Sequence, residues 1–130
     1  MGATIGQALS SPAEATEMVP HGAETPIACD MSAIPTERRD HHERLTEELF
    51  TTAVEETREL PDGYAFRVAA EYYPLVTEFV ADERLCCPFF AFALEVTPDR
   101  GPIWLRITGR DGVKQFLTAS LAAPTSREPG

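Results

Sequence analysis

Residues 82–90 read Asp-Glu-Arg-Leu-Cys-Cys-Pro-Phe-Phe, and at this stretch one backbone pattern gives way to another. Apolar residues before it recur at helical spacing, and the same helix face continues through Glu83 to Cys86 and Cys87. Pro88 disfavours helical backbone at the residue before it, so the helix is predicted to stop at Cys87. Residues 90–96 then place large apolar side chains at every second position, which predicts a strand. The stretch therefore predicts a helix end that carries two adjacent thiols and leads directly into a sheet.

Upstream of this stretch the sequence predicts a helix, a hairpin and a second helix. A helix start at Thr36 and an apolar stripe at helical spacing predict a helix over residues 36–56. A Pro-Asp-Gly turn at residues 61–63 separates two short strands. The second helix is predicted to open near Tyr73 and Pro74, because proline is accommodated in a first helical turn.

Downstream, the sequence predicts a second hairpin and a last helix. A turn over residues 97–102 leads to a returning strand at residues 103–108, and Asp111 is predicted to cap the helix after it. The order of elements predicts an α+β fold, in which an antiparallel sheet of about four strands, made of two hairpins, carries about three helices on one face.

The two ends of the chain differ in composition from its middle. Residues 1–25 are rich in Gly, Ala, Ser, Pro and Glu and are predicted to form a disordered acidic tail. Residues 26–121 are predicted to form a single domain, and residues 122–130 a flexible tail.

Composition and charge exclude several classes of function. The 130 residues carry a net charge of −10, which argues against nucleic acid and anionic membranes, whose phosphates select basic surfaces. No apolar run reaches the length of a membrane-spanning helix, and the first residues lack a secretory pattern, so we expect a cytoplasmic protein. The odd number of cysteines, three, and the reducing compartment that we expect make a disulfide framework improbable.

The cysteines leave three interpretations open. Cys86 and Cys87 could be buried as small apolar side chains, although neighbours on a helix point about 100° apart. They could instead join Cys29 in binding a thiophilic metal or metalloid ion of the arsenic, mercury or zinc type, since soft sulfur ligands select such ions. Thiol chemistry is the third interpretation, because adjacent cysteines can form a strained, reducible disulfide.

Four further residues are candidate auxiliaries of a thiol site. Glu83 precedes the cysteine pair by one helical turn, so its carboxyl group could accept a thiol proton or bind the ion. His41 and His42 could supply the fourth ligand that zinc requires, and Asp30 adjoins Cys29. The corresponding functions are an ion-binding protein, a thiol-dependent enzyme, or an interaction module with structural cysteines that forms a homodimer.

The chain resembles a group of short bacterial proteins over most of residues 26–121. The shared pattern consists of Ile-Ala-Cys at 27–29, Leu-Pro-Asp-Gly-Tyr-Ala-Phe at 60–66, Glu-Arg-Leu-Cys-Cys-Pro-Phe at 83–89 and Leu-Arg-Ile-Thr-Gly at 105–109. This resemblance implies a common fold and a common set of three cysteines.

A second resemblance is local. Residues 86–90, Cys-Cys-Pro-Phe-Phe, are similar to the segment of organomercurial lyases in which vicinal cysteines precede paired phenylalanines. Those enzymes cleave a carbon–mercury bond with two thiols and a carboxylic acid. The resemblance implies that Cys86 with Cys29 or Cys87 supplies the thiols and that Asp30 or Glu83 supplies the acid. The rest of the chain differs from those enzymes in length and pattern.

Overall fold

The structure is a computed structural model, and it describes residues 26–122, of which Leu121 and Ala122 are described by their backbone alone. The predicted acidic tail at residues 1–25 lies outside the described residues, as do residues 123–130 of the predicted C-terminal tail. Within the described residues, no helix is long and apolar enough to cross a membrane.

The part of the chain that the structure describes contains three α-helices and four strands. In chain order they are α1 (Thr36–Glu48), β1 (Val54–Leu60), β2 (Gly63–Val68), α2 (Tyr73–Cys86), β3 (Ala91–Val96), β4 (Ile103–Thr108) and α3 (Val113–Leu117). Short 3₁₀ turns precede α1 and α2, at Met31–Ala33 and Ala70–Tyr72, and single π turns follow α1 and α3, at Leu49–Ala53 and Thr118–Ala122. The predicted α+β class, with an antiparallel sheet of four strands and three helices, is confirmed.

The sheet has the order β1-β2-β4-β3, and every neighbouring pair is antiparallel. The two hairpins therefore join through their second strands, β2 and β4, which become the central pair. Phe66 of β2 lies opposite Leu105 of β4, which in turn lies opposite Leu94 of β3. Because β1 and β3 form the edges, a homodimer that joined sheet edges would use one of these strands, and the predicted homodimer itself stays a prediction.

One hydrophobic core joins the sheet to all three helices. Phe66 and Leu105 of the central strands are fully buried in it. Each helix supplies buried apolar residues at helical spacing, which is why the sequence patterns predicted these elements. The helical contributions are Leu45 from α1, Val76 and Phe79 from α2, and Val113 and Leu117 from α3.

Two predicted local features are wrong. The first helix was expected to reach Glu56, but α1 ends at Glu48 and its π turn at Ala53, because β1 pairs with β2 from Val54 onward. The sheet hydrogen bonds of the hairpin thus override the helical pattern of the sequence. Asp111 does not cap α3; the capping position is Gly112, whose φ of 98° is a left-handed conformation that glycine adopts without strain.

Candidate thiol site

The C-terminal end of α2 places both vicinal cysteines in the interior. Cys86 is the last helical residue, and Cys87 leaves the helix with φ −126° while its N–H still bonds to the carbonyl oxygen of Glu83 at 2.8 Å. The change of direction before Pro88 brings both side chains to the inside, with Cys86 at 2% and Cys87 at 0% exposure. A continuous helix would have pointed them about 100° apart.

Cys29 reaches this corner through an extended segment that runs along the helix end. The N–H of Asp30 donates to the carbonyl oxygen of Cys86 at 2.8 Å, which satisfies one of the carbonyl groups left open at a helix C-terminus. The hydrogen bond fixes the backbone beside the vicinal pair. The sequence alone could not show that residues 26–30 dock here, because the contact spans more than fifty residues.

Cys29 and Cys87 form a disulfide bond, with Cα atoms 4.7 Å apart and a sequence separation of 58. The expectation that a disulfide framework is improbable did not allow for this single bond between Cys29 and Cys87. That expectation rested on the odd cysteine count and the inferred compartment, whereas the bond depends on proximity, which the docking of residues 26–30 provides. Cys29 itself is exposed to solvent, so the disulfide connects the surface to the core.

Cys86 is the free cysteine, and its thiol lies 3.5 Å from the sulfur of Cys87. Burial, followed by the negative charges of Glu83, Asp30 and Asp82 in that order, raises the pKa of this thiol from 9.0 to about 12. The protonated form therefore predominates near neutral pH. Cys86 is therefore not an activated nucleophile. This agrees with its position at the C-terminal end of α2, because the negative end of a helix dipole disfavours the thiolate.

Glu83 lies between the sulfur atoms and a buried histidine. Its Oε2 is 3.3 Å from the sulfur of Cys87, and its Oε1 accepts a weak hydrogen bond from the Cys86 thiol at 3.9 Å. The Nε2–H group of His42 donates to the same Oε1 at 2.8 Å. Because only 7% of Glu83 is exposed, the carboxylate is held in place by these contacts rather than by water.

A second buried acid, Asp82, lies on the other side of His42 from Glu83 and pairs with a residue of α1. Asp82 is fully buried and forms an ion pair with Arg38 of α1. Its Oδ2 has no hydrogen bond and lies 3.8 Å from Nδ1 of His42, which also lacks a partner among the described residues. His42 stacks on Phe79 of the core, with ring centroids 5.8 Å apart. The charged groups thus link α1 to the end of α2 beneath the thiols.

The sulfur atoms of Cys29, Cys86 and Cys87 and a carboxylate oxygen of Glu83 all lie within 4.8 Å of one another. A surface cavity of about 230 Å³ gives access to this cluster. Its walls include Met31 and the side chains of Cys29, His42, Glu83 and Cys86. Four clustered donor atoms, of which those of Cys29, Glu83 and Cys86 belong to residues that line the cavity, form a candidate site for a soft ion.

The remaining predicted auxiliaries lie outside this cluster. Nε2 of His41 lies 2.8 Å from Oε2 of Glu78 in an exposed ion pair, so its ring is engaged away from the sulfurs. The carboxylate of Asp30 accepts hydrogen bonds from the side chain and backbone N–H of Ser32, and these lower its pKa. Of the two histidines, His42 is the one that contacts the site, through Glu83.

Sequence reasoning missed Asp82 and Arg38. Asp82 was part of the opening stretch, but an acid late in a helix is usually solvated, and its burial depends on the packing of α1 against α2. One signal was present, since Asp82 and Glu83 are adjacent acids immediately after an apolar helix face.

No known protein family, curated protein or solved structure matches this chain.

Proposed function

We propose that the reduced chain binds a thiophilic metal or metalloid ion through Cys29, Cys86 and Cys87. The observation that carries the proposal is the convergence of three sulfur atoms and one carboxylate oxygen within 4.8 Å. The ordinary alternative is that the cysteines only fill the core. It accounts for the burial of Cys86 and Cys87 but not for the exposed third cysteine or the buried carboxylate beside them.

The disulfide and the ion are alternative occupants of the same sulfur atoms. In the oxidised chain Cys29 and Cys87 are bonded to each other and offer no thiolates. Because Cys29 is exposed, an external thiolate can attack its sulfur, which breaks the disulfide and releases Cys87. A second external thiol then frees Cys29 as the external disulfide forms, so two electrons and two protons enter the protein. Reduction therefore creates the binding site.

The protons released on binding depend on the ion. A divalent cation replaces the proton of each thiol that it binds, so every metal–sulfur bond sends a proton to the solvent. Arsenous acid instead loses a hydroxide for each bond, which leaves with the thiol proton as water. Because the pKa of the Cys86 thiol is raised, the affinity for a divalent cation is expected to increase with pH through the neutral range. The affinity for arsenous acid is expected to change much less.

Native mass spectrometry of the reduced protein with Cd(II), Hg(II) or arsenite tests the proposal. We expect one ion per chain in the wild type and no retained ion after Cys86→Ser/Cys87→Ser substitution. Thr46→Ser is a matched control, because Thr46 lines the same cavity without contributing a sulfur. The oxidised wild type is a second control and should retain no ion. Equal retention by the double variant and the wild type would refute the proposal.

A thiol-dependent enzyme is the second candidate, and a specific observation favours it. The surface-exposed disulfide has a third thiol 3.5 Å from its buried sulfur, which is a suitable arrangement for thiol–disulfide exchange within the protein. The likeness of residues 86–90 to organomercurial lyases supports a related activity, in which Glu83 would donate the proton. Release of benzene from phenylmercury by the reduced protein measures organomercurial cleavage. Turnover of a small disulfide with a dithiol measures thiol–disulfide exchange. Stoichiometric binding without turnover in both assays would exclude this candidate.

A further inference from the structure

We infer that the site accepts a four-coordinate divalent cation of the zinc and cadmium class, with Glu83 as its fourth ligand, and discriminates against neutral trivalent arsenic. This inference rests on the proposed ion-binding function and specifies the chemical class of the ion. It follows from the position of one buried carboxylate among the sulfurs.

The two oxygens of Glu83 have different environments. Oε1 is 2.8 Å from Nε2 of His42, which donates to it, whereas Oε2 lies 3.3 Å from the sulfur of Cys87. Carboxylates that bind metals are commonly oriented by a hydrogen bond to one side, which leaves the other oxygen for the ion. His42 is itself 97% buried and stacked on Phe79, so the orientation of the carboxylate is fixed by the core.

The donor set suits a tetrahedral ion. Three thiolates and one carboxylate oxygen are ligands that zinc accepts in four-coordinate sites, at metal–sulfur distances of about 2.3 Å and metal–oxygen distances of about 2.0–2.2 Å. Donor atoms that surround such an ion are separated by less than about 4 Å, so the donors that now lie up to 4.8 Å apart must approach slightly, while the bonded sulfurs of Cys29 and Cys87 separate on reduction. Trivalent arsenic forms three bonds to sulfur and carries a lone pair, and it has no use for the oxygen.

The Glu83 carboxylate separates the two classes more strongly than geometry. A divalent cation forms a direct bond with Glu83 and offsets two of the four negative charges of the donor set. The arsenic tris-thiolate is neutral, so it would leave the carboxylate buried beside three sulfurs without a cation. Arg38 does not supply compensation, because its charge is paired with Asp82. The buried carboxylate therefore favours the cation and opposes the neutral metalloid.

Competition on the reduced wild-type protein is the first test, and it needs no variant. Reduced protein is loaded with Cd(II) at pH 7.5 and challenged with increasing arsenite, and the bound ion is measured by native mass spectrometry. We expect cadmium to be retained at equimolar arsenite, and zinc to compete with cadmium for the same site. Displacement of cadmium by equimolar arsenite would overturn the inference while leaving the proposed function intact. Failure of the reduced chain to retain either ion would overturn both.

Substitution of the carboxylate is the second test. Glu83→Gln is expected to weaken cadmium binding by about tenfold or more, as is usual when a ligand is lost, and to leave arsenite binding unchanged or stronger. Glu43→Gln is the matched control, because Glu43 is an exposed acid that lines the same cavity. Equal weakening of cadmium and arsenite by Glu83→Gln would contradict the assigned role.

A spectroscopic measurement keeps this test independent of folding. The ¹¹³Cd chemical shift of the wild-type complex reports the donor set and is expected to indicate three sulfurs and one oxygen. Glu83→Asp, which retains the charge and shortens the side chain by one methylene, is expected to recover part of the cadmium affinity. A wild-type spectrum typical of sulfur ligands alone would overturn the inference whatever the behaviour of the variants.

Discussion

The thiol of Cys86 is expected to react slowly in the folded, oxidised protein, and this can be measured without ambiguity. Cys29 and Cys87 are joined in a disulfide, so Cys86 is the one thiol of a chain that has three cysteines. Its pKa is raised from 9.0 to about 12. At neutral pH the thiolate fraction is therefore lower by about a thousandfold than in an unperturbed cysteine.

The change in rate is smaller than the change in thiolate fraction, because a more basic thiolate is a better nucleophile. With a Brønsted coefficient of about 0.45, the nucleophilicity rises by about twentyfold, so the net reaction slows by about fortyfold. Steric exclusion from the buried position acts in the same direction. The same pKa shift favours the folded state below pH 9.0. This contribution to the free energy of unfolding is lost as pH rises from 9.0 towards 12, because the thiol ionises at lower pH in the unfolded chain than in the folded one.

A small methanethiolsulfonate reagent, with mass-spectrometric readout, gives the rate from pH 6 to pH 10. The reference is the same oxidised chain unfolded in guanidinium chloride, and Cys86→Ser confirms the site of labelling. In the folded protein the rate should still increase at pH 10, whereas in the unfolded chain it should level off near pH 9.0. A folded-state rate that levels off below pH 9, or that equals the unfolded rate, would refute the account of the Cys86 environment.

Three further predictions concern stability, measured as the free energy of unfolding in urea. Cys29→Ser removes the disulfide, which joins two residues 58 positions apart in sequence. The substitution should lower the free energy of unfolding by about 2–4 kcal/mol in the oxidised state but only slightly under reducing conditions. An equal loss of stability with and without reductant would contradict this. Arg38→Ala leaves fully buried Asp82 without its cation and should cost about 2 kcal/mol, with Arg84→Ala as an exposed control; a neutral effect would mean that the pair does not stabilise the fold. Gly63→Ala places a Cβ against the backbone of the adjacent strand β4 and should cost about 3 kcal/mol, detectable also as loss of strand signal in circular dichroism; unchanged stability would show that the two central strands can separate locally.

Oxidation and reduction of Cys29 and Cys87 give this protein two chemical states. Oxidation uses two of the four clustered donors, and reduction restores them. Under the proposed function, ion retention would therefore depend on the thiol status of the surroundings as well as on the ion concentration. The exposure of Cys29 makes this exchange accessible, while the burial of Cys86 protects the third ligand from reaction.

Much of the fold followed from patterns that local physics explains. Pro88 disfavours helical backbone at the residue before it, and α2 ends at Cys86, so that Cys87 lies outside the helix as expected. Alternation of large apolar side chains predicted β3 and β4, because successive residues of a strand face opposite sides. The end of α1 was not predictable in this way, since β1 owes its conformation to pairing with β2 rather than to its own sequence.

The sequence by itself determined that two thiols lie at a helix end, one turn after a carboxylate, because spacing along a helix fixes those positions. It did not determine where Cys29 lies or that it bonds to Cys87, since that depends on the docking of an extended segment against the end of α2. Nor did it distinguish His42 from His41, which differ by about 100° around the same helix. Only the packing of α1 on α2 brings His42 against Glu83 and leaves His41 at the surface.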